Sequence, residues 1–365
     1  MENLEINTMH THLDLFNGAY RGKKVLVTGD TGFKGSWLCI WLAELGAEVY
    51  GYALPAISKR DNYNTTGLSE HITHTDGDVR DKEMLSAFFR KVQPDIAFHL
   101  AAQPLVIESY NNPHYNFETN LMGTVNFFEA VRECTSVKAA VNVTTDKCYH
   151  NNEWMWGYRE NDPMGGDDPY SASKGCSELI THSYIKSFFT KEGSCHVASA
   201  RAGNVIGGGD WAENRLIPDM MRAYEAKQSL EVRNAHSVRP WQFVLEPLFG
   251  YLKLGEQLLK QGKEFSGGWN FGPGAFENYS VADVVEETKK IIPVDIRTPE
   301  IKEKPHEAGL LKLDITKAVN LLGWKPRLDF ERTIQFTVAG YQDEFKSPAN
   351  LYQQRVEQIK HYCNS

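Results

Sequence analysis

The chain has 365 residues, of which 41% are hydrophobic, and its formal net charge is -8 at pH 7. This length favours about two domains, and the negative charge with scattered basic residues argues against binding to nucleic acid. The six cysteines include no CxxC pair and have no histidine at zinc-ligand spacing, so we expect reduced thiols and no metal site. No apolar run reaches roughly 18 residues and no signal-peptide core is evident, which predicts a cytoplasmic protein without membrane contact.

The predicted elements alternate between strands and helices. The segment "KKVLVTG" at 23–29 has the pattern of a short buried strand, and "GSWLCIWLAELG" at 35–46 has helical periodicity that ends at a glycine. Further strands are predicted at 95–102, 137–145 and 196–206, with helical stretches such as "TNLMGTVNFFEAVREC" between them. This alternation predicts an α/β fold, a Rossmann-type doubly wound parallel sheet.

The pattern changes after about residue 206, where "GGGDWAENRLIPDMM" indicates a loop followed by a helix. Strand and helix then resume, and "WNFGP" indicates one more strand. We expect residues 1–206 and 240–273 to form a dinucleotide-binding domain. Residues 207–239 and 274–365 would form a smaller, interleaved C-terminal substrate domain.

A glycine-rich turn follows the first strand in "VTGDTGFKGSW". Its three glycines would let the backbone turn tightly and approach a pyrophosphate, which would lie at the N-terminus of the following helix. A turn needed only for packing is the alternative. The candidate cofactor contacts here are Gly29, Thr31, Gly32, Phe33, Lys34 and Gly35.

The spacing GxxGxxG resembles the extended branch of the short-chain dehydrogenase/reductase superfamily. The resemblance implies a bound NAD or NADP. It places "DGDVRD" at the adenine, "HLAAQPLV" along the cofactor and "ETNLMGT" on a helix beside the site. The cofactor-binding residues implied in these segments are Asp78, Val79, Ala101, Ala102, Gln103 and Asn120.

The strand that usually ends in an acid for the ribose hydroxyls has none here. In "VYGYALPAISKRDNY" no acid occurs before Asp61, and Lys59 and Arg60 could instead meet a 2'-phosphate. The residues therefore leave NAD and NADP open. Asp30, inside the glycine-rich turn, either places a negative charge near the pyrophosphate or faces solvent.

Polar residues follow the strand at 137–145, at the edge where doubly wound sheets bind ligands. Tyr170 and Lys174 are four residues apart, so on a helix they share one face. A phenol becomes a usable base near neutral pH only if cations such as Lys174 and an oxidised nicotinamide stabilise its phenolate. Thr145 would hydrogen-bond the same substrate hydroxyl, and a helix or turn cap is its alternative role.

The run "TTDKCY" resembles the Thr-Asp-Glu run of nucleotide-sugar 4,6-dehydratases. With "EWMWGYRENDPMGGDDPYSASKG" after it, the chain is similar to the branch of that family that acts on CDP-glucose. The resemblance implies NAD-dependent oxidation at C4, elimination of water across C5 and C6, and hydride return to C6. The product would be a deoxysugar precursor, for example of lipopolysaccharide.

The same resemblance assigns Asp146 as the acid that protonates the C6 hydroxyl. Lys147 stands where the family has its glutamate base. Lys147 therefore either removes the C5 proton, stabilises the enolate as an ammonium ion, or only pairs with Asp146.

Substrate contacts are also implied by the resemblance. Asn204 in "RAGNVIGGGDW" would lie near the sugar diphosphate, and arginine forks suit a diphosphate. His306 in "PHEAGLLKLD" would contact the nucleotide, with a solvated loop histidine as the alternative. The substrate-binding candidates are Gln103, Thr145, Asn204, Arg215, Arg239 and His306.

Extended members of the superfamily pair two long helices of each subunit, which implies a homodimer or homotetramer. Three other functions stay open: a nucleotide-sugar 4-epimerase, a dehydratase for another nucleotide-glucose, and a non-catalytic NAD(P)-sensing protein. An epimerase needs little beyond Thr145, Tyr170 and Lys174, so the Asp146-Lys147 pair argues against it. A non-catalytic sensor would have no need of Thr145, Tyr170 and Lys174 together.

Overall fold

The computed structural model describes residues 12–232, 234–274, 277–297 and 310–365. The strands are β1 (Lys24–Thr28), β2 (Glu48–Ala53), β3 (Thr73–Asp76), β4 (Ile96–His99), β5 (Ala139–Val143), β6 (His196–Ala202), β7 (Val205–Ile206), β8 (Leu230–Glu231), β9 (Val238–Arg239), β10 (Gln242–Phe243), β11 (Gly267–Phe271), β12 (Tyr279–Ser280) and β13 (Ile296–Arg297). The α-helices are α1 (Phe33–Glu44), α2 (Asn62–Thr65), α3 (Lys82–Val92), α4 (Val106–Asn111), α5 (Pro113–Phe117), α6 (Gly123–Glu133), α7 (Pro169–Ser187), α8 (Leu216–Ala226), α9 (Leu245–Gln261), α10 (Val281–Lys289), α11 (Phe330–Lys346) and α12 (Leu351–Cys363).

Seven of these strands form one parallel sheet in the order β11-β6-β5-β4-β1-β2-β3. The order reverses between β1 and β4, which is the switch point where doubly wound sheets bind dinucleotides. Every residue of β4 and β5 is buried, as expected for a parallel sheet covered on both faces. The predicted Rossmann-type fold is confirmed.

Helices cover both faces of the sheet. On one face, Trp37 and Trp41 of α1 pack with residues of α9 and α12. On the other face, Phe89 of α3, Phe127 of α6 and the partly buried Tyr184 of α7 form a second cluster. Burial of each such aromatic side chain contributes about 2 to 3 kcal/mol from removal of apolar surface from water. The sheet is therefore a rigid support for the loops at its carboxyl edge.

A third apolar cluster lies in the C-terminal region. It includes Trp211, Ile217 of α8, Val284 of α10, and Ile334 and Val338 of α11. The short pairs β7/β10, β9/β12 and β8/β13 accompany it. The division into domains at 1–206 with 240–273 and 207–239 with 274–365 stays a prediction, and α12 packs on α1 in the sheet-side cluster. In the described parts of the chain, no helix has the length and apolar character that a membrane crossing requires.

Candidate active site

The glycine-rich turn lies between β1 and α1, at the switch point of the sheet. Gly29 has a φ of +79°, and a Cβ there would come within 2.6 Å of the Ala101 backbone nitrogen. A Cβ on Gly35 would lie 2.0 Å from the Gly29 carbonyl oxygen. Gly32 precedes α1 without a side-chain cap, so the first N–H groups of the helix stay available. This cradle fits a dinucleotide pyrophosphate.

The side chains of the turn point in different directions. The Thr31 hydroxyl donates to the Leu54 carbonyl oxygen at 2.9 Å, which ties the turn to the end of β2. Lys34 lies 6.0 Å from the ring centre of Tyr251. Burial, followed by the charges of Lys174 and Arg215, lowers the pKa of Lys34 to about 7. Lys34 is therefore buried within electrostatic reach of the predicted reaction centre.

Asp30 does not face solvent, contrary to one of the two sequence expectations. Its side chain is fully buried, and Oδ2 lies 2.7 Å from Nδ1 of His74, whose Nε2 is 3.1 Å from Asp76. A Cβ on Gly51 of β2 would meet Oδ2 at 2.1 Å, so the carboxylate occupies the space that a β2 side chain would fill. Burial raises the pKa of Asp30, and the bond to His74 opposes this.

Arg60, a candidate for a 2'-phosphate, is engaged elsewhere. Its guanidinium binds both carboxylate oxygens of Glu225, at 2.7 and 3.3 Å, and lies 3.5 Å from the ring centre of Trp211. Lys59 is exposed. A 2'-phosphate would have to displace a bidentate ion pair, so this segment does not favour NADP.

The residues expected at the adenine are arranged by their neighbours. The Asp78 carboxylate accepts from Nε and Nη2 of Arg80, at 2.9 and 2.6 Å. Val79 is buried, and its carbonyl oxygen accepts from the Asn126 amide at 2.9 Å. Arg80 also lies 4.7 Å from the ring centre of Tyr115. Asp78 is therefore fixed before any ligand binds.

Asn120 acts as a link between loops. Its side chain accepts from the Gln103 backbone N–H at 2.8 Å and donates to the Gln103 carbonyl oxygen and to Ser173 of α7. The Gln103 amide folds back on the Leu105 backbone. Asn120 lies in a π-helical turn (Glu118–Met122), a feature common at functional sites. These bonds hold the Ala101–Ala102–Gln103 loop against the helix that carries Tyr170.

The structure brings the predicted hydride-transfer residues together at the carboxyl end of β5. Thr145 accepts a bond from the Lys147 backbone N–H, so it also caps the turn over Asp146–Cys148. Tyr170 is the second residue of α7 and is 9% exposed. Burial raises its pKa to about 12, and the neighbouring Thr145 hydroxyl opposes the rise. Both proposed roles of Thr145 are therefore compatible.

Lys174 is buried one turn after Tyr170. Its Nζ donates to the Val143 carbonyl oxygen at 3.4 Å. Burial lowers the pKa of Lys174 to about 8, while Glu178 and Cys148 oppose this. His99 lies at the end of β4 with a pKa lowered to about 3 by burial and by Lys174, so it stays neutral.

Asp146 has an unpartnered oxygen in the middle of this site. The residue is 1% exposed, and Oδ1 accepts from the Thr145 hydroxyl at 2.9 Å. Oδ2 has no hydrogen-bond partner and lies against Gly203, 3.1 Å from where a Cβ would stand. Burial raises its pKa, with Lys147 and Arg239 opposing. A buried oxygen without a partner is costly unless a ligand satisfies it.

Lys147 is half-buried, and its charge acts on Asp146, but Asp146 Oδ1 accepts from the Thr145 hydroxyl and Oδ2 has no hydrogen-bond partner. No hydrogen bond therefore supports a salt bridge as the sole role of Lys147. Lys147 forms the turn with Asp146 and Cys148 that extends beyond the strand end.

Three of the predicted substrate residues lie near Asp146 or Tyr170. Arg239 of β9 is buried close to Asp146, and Nη1 donates to the Val238 carbonyl oxygen at 3.0 Å. Arg215 precedes α8 and donates to Asp210 at 2.9 Å, with its charge acting on Tyr170. Asn204 is half-buried between β6 and β7. His306 lies outside the described residues.

Sequence reasoning missed a buried ion pair behind the site. Glu178 of α7 binds Arg201 of β6 at 2.7 Å, and the side chains are only 4% and 5% exposed. The available signal was the spacing, because Glu178 follows Lys174 by four residues and so shares its helix face.

Comparisons with known proteins show the family of the chain. The model of the family described as GDP-mannose 4,6 dehydratase matches residues 26–337. The CDP-glucose 4,6-dehydratase of Salmonella typhimurium is 48% identical over 320 residues, covering 86% of this chain and 89% of the relative.

Solved structures share the fold. A dTDP-glucose 4,6-dehydratase from Streptomyces venezuelae with NAD bound has a TM-score of 0.75 and 22% identity, over 89% of this chain and 99% of that one. A UDP-glucose-4-epimerase from Stenotrophomonas maltophila with bound NAD has a TM-score of 0.76 and 20% identity, over 89% and 99%. With the family match and the 48% identical relative, these findings confirm the predicted family: the chain belongs to the GDP-mannose 4,6 dehydratase family of nucleotide-sugar 4,6-dehydratases.

Proposed function

We propose that the protein is an NAD-dependent CDP-glucose 4,6-dehydratase, a hydro-lyase that forms CDP-4-dehydro-6-deoxyglucose. The observation that carries this proposal is the buried Asp146, whose Oδ1 accepts from the Thr145 hydroxyl, whose Oδ2 has no hydrogen-bond partner, and whose charge acts on Tyr170. A 4-epimerase has no use for an acid at this point, whereas water elimination needs one for the departing C6 hydroxyl. The 48% identity to a CDP-glucose enzyme supports the choice of nucleotide.

NAD is the proposed cofactor. The Gly29–Gly35 cradle fits its pyrophosphate, and the engagement of Arg60 by Glu225 disfavours the 2'-phosphate of NADP. Bound there, NAD would supply the hydride chemistry, taking a hydride from C4 and returning it to C6. The proton transfers would fall to residues of the protein.

Tyr170 is proposed to take the proton of the C4 hydroxyl. Its pKa of about 12 without cofactor means that the phenol is protonated in the free protein. Binding of a cationic nicotinamide next to Lys174 would lower that pKa, so the base forms only in the loaded site. Thr145 orients the same hydroxyl, and Arg239 with Arg215 would bind the diphosphate.

Asp146 is proposed to protonate the C6 oxygen as water leaves. Burial raises its pKa in the direction that a proton donor requires. Lys147 is proposed as the C5 base, and stabilisation of the enolate by its ammonium group is the rival role. Either role requires the Lys147 side chain, in the turn over Asp146–Cys148, to contact the sugar.

The protein is also proposed to act as a cytoplasmic homodimer or a homotetramer built from dimers. The outer side of α7 exposes 60% of Leu179, and Met122 just before α6 is 45% exposed. Neighbouring helices with exposed apolar residues suit a four-helix contact between two subunits.

Mass spectrometry in heavy water tests the function. Purified protein is incubated with CDP-glucose, and with the dTDP, GDP and UDP sugars in parallel, each with and without added NAD. Loss of one water from CDP-glucose alone, with one deuterium gained at C5, is the expected result. A changed stereocentre at unchanged mass would instead make the protein an epimerase, and water loss from another sugar would reassign the nucleotide.

A further inference from the structure

One face of α7 carries three buried ionisable side chains at intervals of four residues. Tyr170 is 9% exposed, Lys174 is 6% exposed and Glu178 is 4% exposed. The first two belong to the proposed hydride-transfer set, whereas the reaction assigns no step to Glu178. Because a helix is rigid over two turns, the position of the Glu178 carboxylate is coupled to that of its two neighbours.

The Glu178 carboxylate joins this helix to two strands of the sheet. Oε1 accepts from the hydroxyl of Thr144, which directly follows β5. Oε2 accepts from Ser199 at 2.6 Å and from Nη2 of Arg201 at 2.7 Å, both on β6. The carboxylate therefore fixes α7 against the strand end that continues into Thr145.

Arg201 is itself held on its far side. Nη1 donates to the Tyr149 hydroxyl at 2.6 Å and to the Glu160 carbonyl oxygen at 3.0 Å. A Cβ at Gly268 would lie 2.3 Å from Nη2, so only glycine leaves room for the guanidinium. Buried ion pairs are weak evidence of stability because desolvation is costly, and fixing a unique geometry is one role for which they are retained.

The same carboxylate acts on Lys174 electrostatically. Burial lowers the pKa of Lys174 to about 8, and the charge of Glu178 is the largest effect that opposes it. Burial also disfavours the Glu178 anion, but Arg201 and the two hydroxyls hold the pKa of Glu178 below its usual value. The anion is therefore present wherever the ammonium group is required.

We propose that Glu178 is a positioning residue for the dehydratase reaction. Its carboxylate fixes the catalytic end of β5 against the Tyr170 face of α7, and Arg201 holds the carboxylate in place. The inference rests on the proposed function, since it adds geometry to that reaction and no chemistry of its own. Loss of the contacts of the Glu178 carboxylate is expected to slow turnover without weakening substrate binding.

The mechanical part is tested by Thr144→Val, which keeps the shape of the side chain and removes only the bond to Glu178. We expect kcat on CDP-glucose to fall roughly tenfold or more, with KM changed less than about twofold, because the reacting groups are displaced and the diphosphate contacts are not. Ser199→Ala is the matched control, because it removes a hydroxyl bond to the same carboxylate but leaves the link to the end of β5 and the Arg201 bond in place, so kcat should stay close to the wild-type value. Wild-type kcat in Thr144→Val would overturn this part.

The electrostatic part has a readout that needs no activity. Lysine labelled with 13C at Cε is titrated in the free protein, and Lys174→Met identifies the Lys174 signal. We expect the midpoint in Glu178→Gln to lie about one pH unit below that of the wild type. Should the unpaired Arg201 prevent folding, Glu178→Gln with Arg201→Met removes both charges, and the same downward shift is expected. An unchanged midpoint in the folded variant would overturn the proposal.

The two readouts separate the possible failures. If the wild-type protein does not dehydrate CDP-glucose, the proposed function is refuted. If the Lys174 titration midpoint is nevertheless lower in Glu178→Gln than in the wild type, the electrostatic coupling of Glu178 to Lys174 stands. Active wild-type protein with unshifted Lys174 and an unaffected Thr144→Val would refute the positioning role alone.

Discussion

The Asp30 carboxylate and the His74 imidazole lie 2.7 Å apart beneath the glycine-rich turn, and the Asp30 side chain is fully buried. Replacement of His74 by leucine would leave this carboxylate without a partner, because Oδ1 already lacks one. A buried acceptor that loses its partner destabilises a fold, so we expect the free energy of unfolding to fall by roughly 1 to 3 kcal/mol at pH 7. Urea denaturation would measure the change.

The loss should depend on pH in a defined direction. Burial raises the pKa of Asp30, and the hydrogen bond and charge of His74 are the largest influences that oppose the rise, so the pKa of Asp30 should rise further in the variant. An acid whose folded pKa exceeds its unfolded value loses stability as the pH rises through the folded pKa. The free energy of unfolding of His74→Leu should therefore be close to that of the wild type at acidic pH and fall below it towards neutral pH. Adding Asp30→Asn should remove this pH dependence. A loss of unfolding free energy that is the same at every pH would contradict the assignment of the effect to Asp30.

Asp146→Asn tests the assignment of the acid. The amide keeps the shape of the side chain but cannot protonate the C6 oxygen, so we expect water elimination to fall roughly 10²- to 10⁴-fold. Oxidation at C4 precedes that step and should continue, so reduced nicotinamide should accumulate when substrate is added. Absorbance of the bound cofactor would report the accumulation. Loss of C4 oxidation along with elimination would show that Asp146 supports the earlier step.

Much of the fold could be predicted because its signals are local. The buried run that forms β5 and the glycines before α1 are each visible within a dozen residues. The pairing of Tyr170 with Lys174 is local as well, since both lie on α7. The site residues on these elements could therefore be placed near one edge of the sheet before any coordinates were known.

The parts that could not be predicted depend on distant pairing. Asp30 is buried because His74, 44 residues away, satisfies it. Glu178 and Arg201 are 23 residues apart, and a charged residue in a sequence is by default expected on the surface. The sequence leaves Arg60 open as a ligand for a 2'-phosphate, because its actual partner, Glu225, is 165 residues away. The four-residue spacing of Lys174 and Glu178 places Glu178 on the same helix face, but no pattern in a single sequence identifies the distant partners His74, Arg201 and Glu225.

Lys147→Met tests the C5 base. If Lys147 removes the proton, the variant should exchange the C5 hydrogen with solvent at least about 100-fold more slowly, because a missing general base typically costs that much. Deuterium incorporation in heavy water, followed by mass spectrometry, measures the exchange. Exchange at the wild-type rate would exclude Lys147 as the base and favour a carboxylate elsewhere.

Leu179→Glu tests the proposed subunit contact. A charge in the centre of an apolar helix-to-helix interface would be buried without a partner, so we expect dissociation to monomers in sedimentation equilibrium. Leu321→Glu is the control, because Leu321 is similarly exposed, at 64%, but lies in the C-terminal π-helical turn (Ala318–Leu322). Dissociation by the control variant, or a stable dimer with Leu179→Glu, would place the interface elsewhere.

The alkaline limit of activity should follow Lys174. Its pKa is lowered by burial to about 8, so the ammonium group is present below that pH and is lost as the pH rises through it. Since the Tyr170 phenolate needs that cation, kcat/KM should decline above about pH 8. Lys174→Arg keeps its charge throughout this range, so the decline should disappear, although the larger guanidinium should lower the maximum rate. Circular dichroism across the same range would show that the protein stays folded, and an identical decline in both proteins would assign the limit to another group.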